Sequence, residues 1–237
     1  MLIDGNLMHY QALNAKIRDS EDRDIEVIHL LGQRYIASGL SGKNLTLRGT
    51  PGNALGSYLD GCTLEVFGNA QDGLGDTMNS GEIIVHGRCG DAAGYAMRGG
   101  RILIQGDAGY RAGIHMKAYR DKVPVLVVGG RAGSFLGEYQ AGGIIIVLGL
   151  GCAGPPVGDF CASGMHGGAI FLRTSALPKL PAQVNVRSAS AKDMAGIRPH
   201  LDAFARAFAV RPSALQGEYA VLTPETANPY RQLYTLN

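Results

Sequence analysis

Glycine recurs in this chain with a fixed period. Gly49, Gly68, Gly87 and Gly106 stand nineteen residues apart, and Gly56, Gly75, Gly94 and Gly113 follow them seven places later. The aliphatic residues share the period: Leu45, Leu64, Ile83 and Ile102 form one column, and Leu47, Val66, Val85 and Ile104 another. A repeat near twenty residues means one small unit stacked on copies of itself, and it constrains the fold more than any other feature of the chain.

Each unit opens with a short alternating strand that ends in glycine, as in LTLRG (45–49) and RILIQG (101–106). Alternation at period two buries one face of a strand and leaves the other outward. The outward column runs Thr46, Glu65, Ile84, Leu103, so it turns apolar in the middle of the array and points to a covered surface there. Leu59, Met78, Met97 and Met116 form a third column. Thioethers bind soft metals, but flexible methionines also fill irregular cores, and packing is the reading taken here.

The array extends both ways. Gly32 and Gly39 repeat the seven-residue step upstream, and Gly130 and Gly137 restore it after a coil lengthened by extra residues, KAYRDK at 117–122. A further strand ends at Gly149, a second insertion occupies 150–158, and Ala162 and Met165 then rejoin the columns before AIFLR at 169–173. Glycine at these corners permits positive φ or close approach of neighbouring turns. The expected fold is an all-β solenoid: a right-handed parallel β-helix of six to seven coils, about nineteen residues each. Its predicted parts are an N-terminal lead-in over 1–25, the β-helix over 26–175, and a helical segment with an extended tail over 176–237.

In the flanks, Leu13 and Ile17 predict a helix within 7–20. Ser190 and Asp193 resemble a capping box, and Pro199 is placed at the start of a second C-terminal helix with Leu201, Phe204 and Phe208 on one face.

The 237 residues include 35 glycines but only 18% charged residues, with net charge +2, so nothing electrostatic calls for nucleic acid or an anionic membrane. The opening MLIDGNLMHY lacks the basic and apolar regions of a secretory signal. The four cysteines, Cys62, Cys89, Cys152 and Cys161, show no CxxC pair, as expected of thiols in a reducing cytoplasm.

Candidate chemistry is sparse. His9, His29, His86, His115, His166 and His200 share no metal-ligand spacing. Asp72 and Asp91 occupy equivalent positions after Asn53, and stacked carboxylates can hold calcium or run acid–base chemistry on carbohydrates. Tyr110 breaks that column, and Asn and Asp also cap bends through their own backbone. GDAAG (90–94) and GYRAG (109–113) lack the helix and lysine of a phosphate loop. No catalytic, cofactor-binding or metal residue is assigned.

The segments GNALGSYLDGC, GLGDTMNSGEIIVHG and GDFCASGMHGG resemble the GXGXG domain at the C-terminus of the glutamate synthase large subunit. Residues 106–150, with ALNAKIR and NPYRQLY, are similar to the stand-alone form of that domain. The resemblance implies a structural subunit without catalysis of its own. Its partners would be an FMN-containing synthase subunit and a glutamine amidotransferase subunit, and FMN and an iron–sulfur cluster would reside in those partners. A formylmethanofuran dehydrogenase-like scaffold is the alternative within the superfamily. A free-standing carbohydrate-active enzyme is the alternative from another class, and a homo-oligomer is also open. Lys117, Tyr119, Arg120 and Lys122, the 150–158 loop, and Tyr230 in the tail after Pro224 are the expected partner contacts.

Overall fold

A computed structural model describes residues 1–225. Eleven strands form one sheet: β1 Leu2–Asp4, β2 Asp24–Leu31, β3 Asn44–Thr50, β4 Asp60–Phe67, β5 Ser80–Val85, β6 Arg101–Ile104, β7 Val125–Val128, β8 Ala141–Val147, β9 Gly167–Arg173, β10 Val184–Ser188 and β11 Tyr219–Pro224. The spatial order is β1 through β9, then β11, then β10. Pairing is parallel from β1 to β9, whereas β11 lies antiparallel to both β9 and β10. Two helices, α1 Tyr10–Asp19 and α2 Ala191–Ala207, and a short 3-10 turn at Pro212–Leu215 complete the described residues.

The register follows the sequence columns. Leu45 pairs with Leu64, Leu64 with Ile83, Ile83 with Ile102 and Ile102 with Leu126, and all five side chains are buried. Continuous aliphatic stacking from strand to strand makes the central core.

The expected all-β right-handed β-helix of six to seven coils is not what forms. The strands make a single, mostly parallel, mixed sheet with two helices, an α/β-type arrangement. The physical reason lies between the strands, where the chain is turn instead of strand. Each of the segments 35–40, 54–59, 73–78, 92–97, 111–116, 135–140 and 160–165 has positive φ at its first, third and fifth residues, as at Ala54, Gly56 and Tyr58. Two overlapping turns close within each segment, such as Ser57 N to Ala54 O (3.4 Å) and Leu59 N to Gly56 O (3.1 Å). A backbone that alternates sign in φ is not extended, so no second β face arises from it.

These turn segments are bonded to one another. Tyr35 N donates to Asn53 O (2.9 Å), Gly39 N donates to Ser57 O (2.8 Å), and Gly56 N donates back to Ile36 O (2.9 Å). Their second residues (Ile36, Leu55, Leu74, Ala93, Ala112, Leu136, Cys161) and their sixth (Leu59, Met78, Met97, Met116, Gln140, Met165) point inward and are fully or almost fully buried. α1 closes the first repeat with buried Leu13 and Ile17.

The apolar middle of the outward column has its cover. Leu103, Val127, Ile146 and Phe171 pack against Ile197, Leu201, Phe204 and Phe208 of the α2 segment in a second core. The Ser190–Asp193 capping box is fully formed. Pro199 lies inside α2 and does not begin a second helix. Its lost amide bond and ring clash are outweighed by the apolar face that continues through it, with Ile197 before and Leu201 and Phe204 after.

Candidate functional site

The expected glycine corners fall into distinct roles. Gly56, Gly75, Gly94, Gly113 and Gly137 occupy the third position of their turn segments with φ from +63° to +69°, and Gly39 holds the fifth position of the first segment at +64°. Gly32, Gly49, Gly68 and Gly149 also have positive φ. Gly87, Gly106 and Gly130 do not, and close approach explains them: a β-carbon on Gly130 would stand 2.1 Å from Asp107 Oδ1, and one on Gly87 2.6 Å from Gly68 O.

The stacked carboxylates are bound to backbone. Asn53 Oδ1 accepts from Asp72 N (3.3 Å), Asp72 Oδ1 from Asp91 N (2.9 Å), and Asp91 Oδ1 from Tyr110 N (2.8 Å). Ser134 Oγ continues the arrangement by accepting from Asp159 N (3.0 Å). Each side chain caps the turn of the next repeat, the Asx chemistry of a bend. Among the described residues, no three His, Cys, Asp or Glu side chains gather in a group that could hold a metal ion.

The histidines are likewise dispersed. His29 meets Asp4 (3.0 Å), and His86 meets Glu65 (2.9 Å) while stacking on Phe67 at 4.5 Å. Cys89 and Cys161 are buried thiols pushed up to about 12 by desolvation, far from the low values that make a nucleophile. The methionine column is sealed inside the core.

One member of that column escaped the sequence reading. Gln140 replaces methionine between Met116 and Met165 and is fully buried. Its Nε2 donates to Gly142 O (3.2 Å) and Gly143 O (3.1 Å), bridging the bulge where β8 slips register against β9. Its Oε1 has no partner among the described residues. A polar residue at the place where the column resumes after the first insertion, between Met116 and Met165, was the available signal.

The first insertion forms a small external hairpin. Tyr119 and Lys122 exchange backbone hydrogen bonds of 3.0 Å each, and Arg120 lies over the Tyr119 ring at 5.2 Å. Lys122 Nζ reaches back to Asp60 Oδ1 at 3.8 Å, and its stem packs across Gly99. Lys117, Tyr119 and Arg120 are exposed. The second insertion borders an open hollow of about 470 Å³ with Gly149, Cys152, Pro156, Arg173 and Glu218. Tyr230 lies outside the described residues.

Next to the first insertion the turn segments raise an aromatic ridge. His115 stacks on Tyr139 at 5.3 Å and meets Tyr95 edge-on at 5.9 Å. Phe135 stacks on Phe160 at 4.9 Å, and Arg111 covers Phe135 while bonding Glu138 at 3.1 Å. His115, Tyr139, Phe135, Phe160 and Arg111 all have positive φ, a conformation that side chains of this bulk rarely adopt. The ridge offers ring edges, hydroxyls and cations, the equipment of a binding surface.

Comparison with known proteins agrees with the repeat. The model of the GXGXG motif family matches residues 12–209. The chain is also 42% identical over 251 aligned positions to "Uncharacterized protein MJ1350" of Methanocaldococcus jannaschii, covering 99% of this chain and 96% of that one. With the repeated glycine turns and the family match spanning most of its length, the chain belongs to the GXGXG motif family.

Proposed function

We propose that this chain is a structural subunit of a multi-subunit glutamate synthase, joining an amidotransferase subunit to an FMN-containing synthase subunit. Family membership supports the class, and the likeness of residues 106–150 to the stand-alone glutamate synthase domain supports the assignment within it. The observation that carries the reading is the hairpin at 117–122. It stands outside the repeat and exposes Lys117, Tyr119 and Arg120, while Lys122 reaches back to Asp60 and the Lys117 amide bonds Met97 O.

A structural subunit needs rigidity more than chemistry. The bonded turn segments and continuous aliphatic columns supply it, because an interior packed this closely transmits strain instead of absorbing it. Glutamine hydrolysis and electron transfer would lie in the partners.

Native capture with this chain as bait tests the reading. Recovery of a protein with FMN absorbance together with a glutaminase is the expected result. A chain recovered alone and colourless, from cells that contain both partners, would overturn it.

A further inference from the structure

Bulky side chains occupy places in the turn segments that the fold fills elsewhere with glycine. The fifth residue of a segment is Gly39 (φ +64°) in the first and Gly164 (φ +67°) in the last, but His115 (+55°) and Tyr139 (+51°) in the fifth and sixth. Glycine takes that conformation without steric cost, and histidine and tyrosine do not. Their rings stack at 5.3 Å, yet Tyr139 stays 39% exposed, and Tyr95, edge-on to His115, stays 40% exposed. The chain's own packing uses only part of these rings.

Unpaired cations stand beside them. Lys117 N donates to Met97 O (3.0 Å) and Arg98 N to Met78 O (2.9 Å), so Arg98 and Lys117 hold the same place in successive repeats. Both are exposed, and neither has a carboxylate partner among the described residues. Like charges on neighbouring repeats repel and return nothing to the fold. Arg120 in the adjoining hairpin adds a third exposed cation against one carboxylate, Asp121, while Lys122 is already turned to Asp60 at 3.8 Å.

We propose that the face carrying Tyr95, Arg98, His115, Lys117, Arg120 and Tyr139 docks a carboxylate-rich surface of a protein partner. The proposal rests on the structural-subunit reading and gives that subunit its contact face. Carboxylates opposite Arg98 and Lys117 would offset their mutual repulsion, and the half-exposed rings would be covered in the same step, as aromatic anchors of an interface are. Nucleic acid fits less well: the His115 and Tyr139 rings lie on each other, nearly parallel at 9°, and three cations make no continuous track for a phosphate backbone.

Binding of the full chain to purified, immobilised FMN synthase and amidotransferase subunits tests the face. Binding to at least one of them is expected, and it should weaken as salt is raised, because the charges lie in water. Tyr139→Gly, which suits the backbone there, and Lys117→Glu should each weaken it by about tenfold or more, as loss of a central contact does. Both should keep the wild-type circular dichroism spectrum, and Lys16→Glu on the exposed side of α1 should bind as the wild type does. Binding that is indifferent to salt and to both substitutions would overturn this face and leave the subunit reading standing. Binding to neither subunit would overturn both. A single-stranded oligonucleotide held through Lys117 and Tyr139 in place of either subunit would overturn the protein partner.

Discussion

Phe204 of α2 rests on the backbone of Gly129 at the end of β7, where a β-carbon would stand 2.7 Å from the ring's Cζ and 2.2 Å from Gln105 O. The contact fastens the helix to the outer face of the sheet. Phe204→Ala should cost about 3–5 kcal/mol, the usual loss for a buried phenylalanine. Gly129→Ala should also destabilise, because Gln105 O belongs to the backbone and cannot rotate aside. Thermal melting of the two variants measures both effects. Wild-type melting of Phe204→Ala would mean α2 is not a structural cover.

Glycine substitutions within one column should separate strain from crowding. Gly94 has φ +69°, and a β-carbon there would make only ordinary contacts, none closer than 3.8 Å. Gly75 has φ +65° and would place the same atom 2.5 Å from Ile102 Cδ1. Gly94→Ala should therefore cost about 1–2 kcal/mol, the strain of the left-handed region alone. Gly75→Ala and Gly94→Val should cost clearly more. Equal melting temperatures for Gly94→Val and wild type would refute the corner role of Gly94.

Stability should fall on mild acidification through His200. Burial holds its pKa below the usual 6.5, with the Arg101 charge adding to the effect, and Nδ1 has no partner among the described residues. The native state thus favours neutral imidazole. The contribution is fully present above the unfolded pKa near 6.5 and is lost as pH drops toward the lower folded value. Denaturant titrations across pH 5 to 8 should show a slope that His200→Gln reduces. An unchanged slope in that variant would place the titration elsewhere.

Gln140 bridges the β8 bulge, so Gln140→Leu should cost about 1–3 kcal/mol by leaving backbone acceptors unpaired in the core. Chemical denaturation measures the loss. Greater stability in the variant would show that removing the unpaired Oε1 outweighs the two bonds given up.

The strand columns were legible in the sequence because burial imposes strict spacing on Leu45, Leu64, Ile83 and Ile102. The covered outer face was legible from the change between Glu65 and Leu103. What the spacing concealed was the conformation between strands. Glycine is guaranteed at only one of three positive-φ positions in most turn segments, while Tyr35, Ala54 and Phe135 hold the same geometry without it. That concealment made a multi-faced solenoid the natural expectation where one mixed sheet forms. The antiparallel closure by β11 was hidden too, because it joins Tyr219 to Arg173 across a long gap in sequence. At the candidate surfaces, the 117–122 insertion was visible as a break in period. The stacking of His115 on Tyr139 needed the folded chain.

Reconstitution tests the structural-subunit account most directly. Purified FMN synthase and amidotransferase subunits would be assayed for glutamate formation with and without this chain, using either glutamine or ammonia as nitrogen donor. The account predicts that adding the chain raises glutamine-dependent formation and leaves ammonia-dependent formation unchanged, because it aligns the two partners without touching the chemistry. Glutamine-dependent formation that is indifferent to the chain would contradict it.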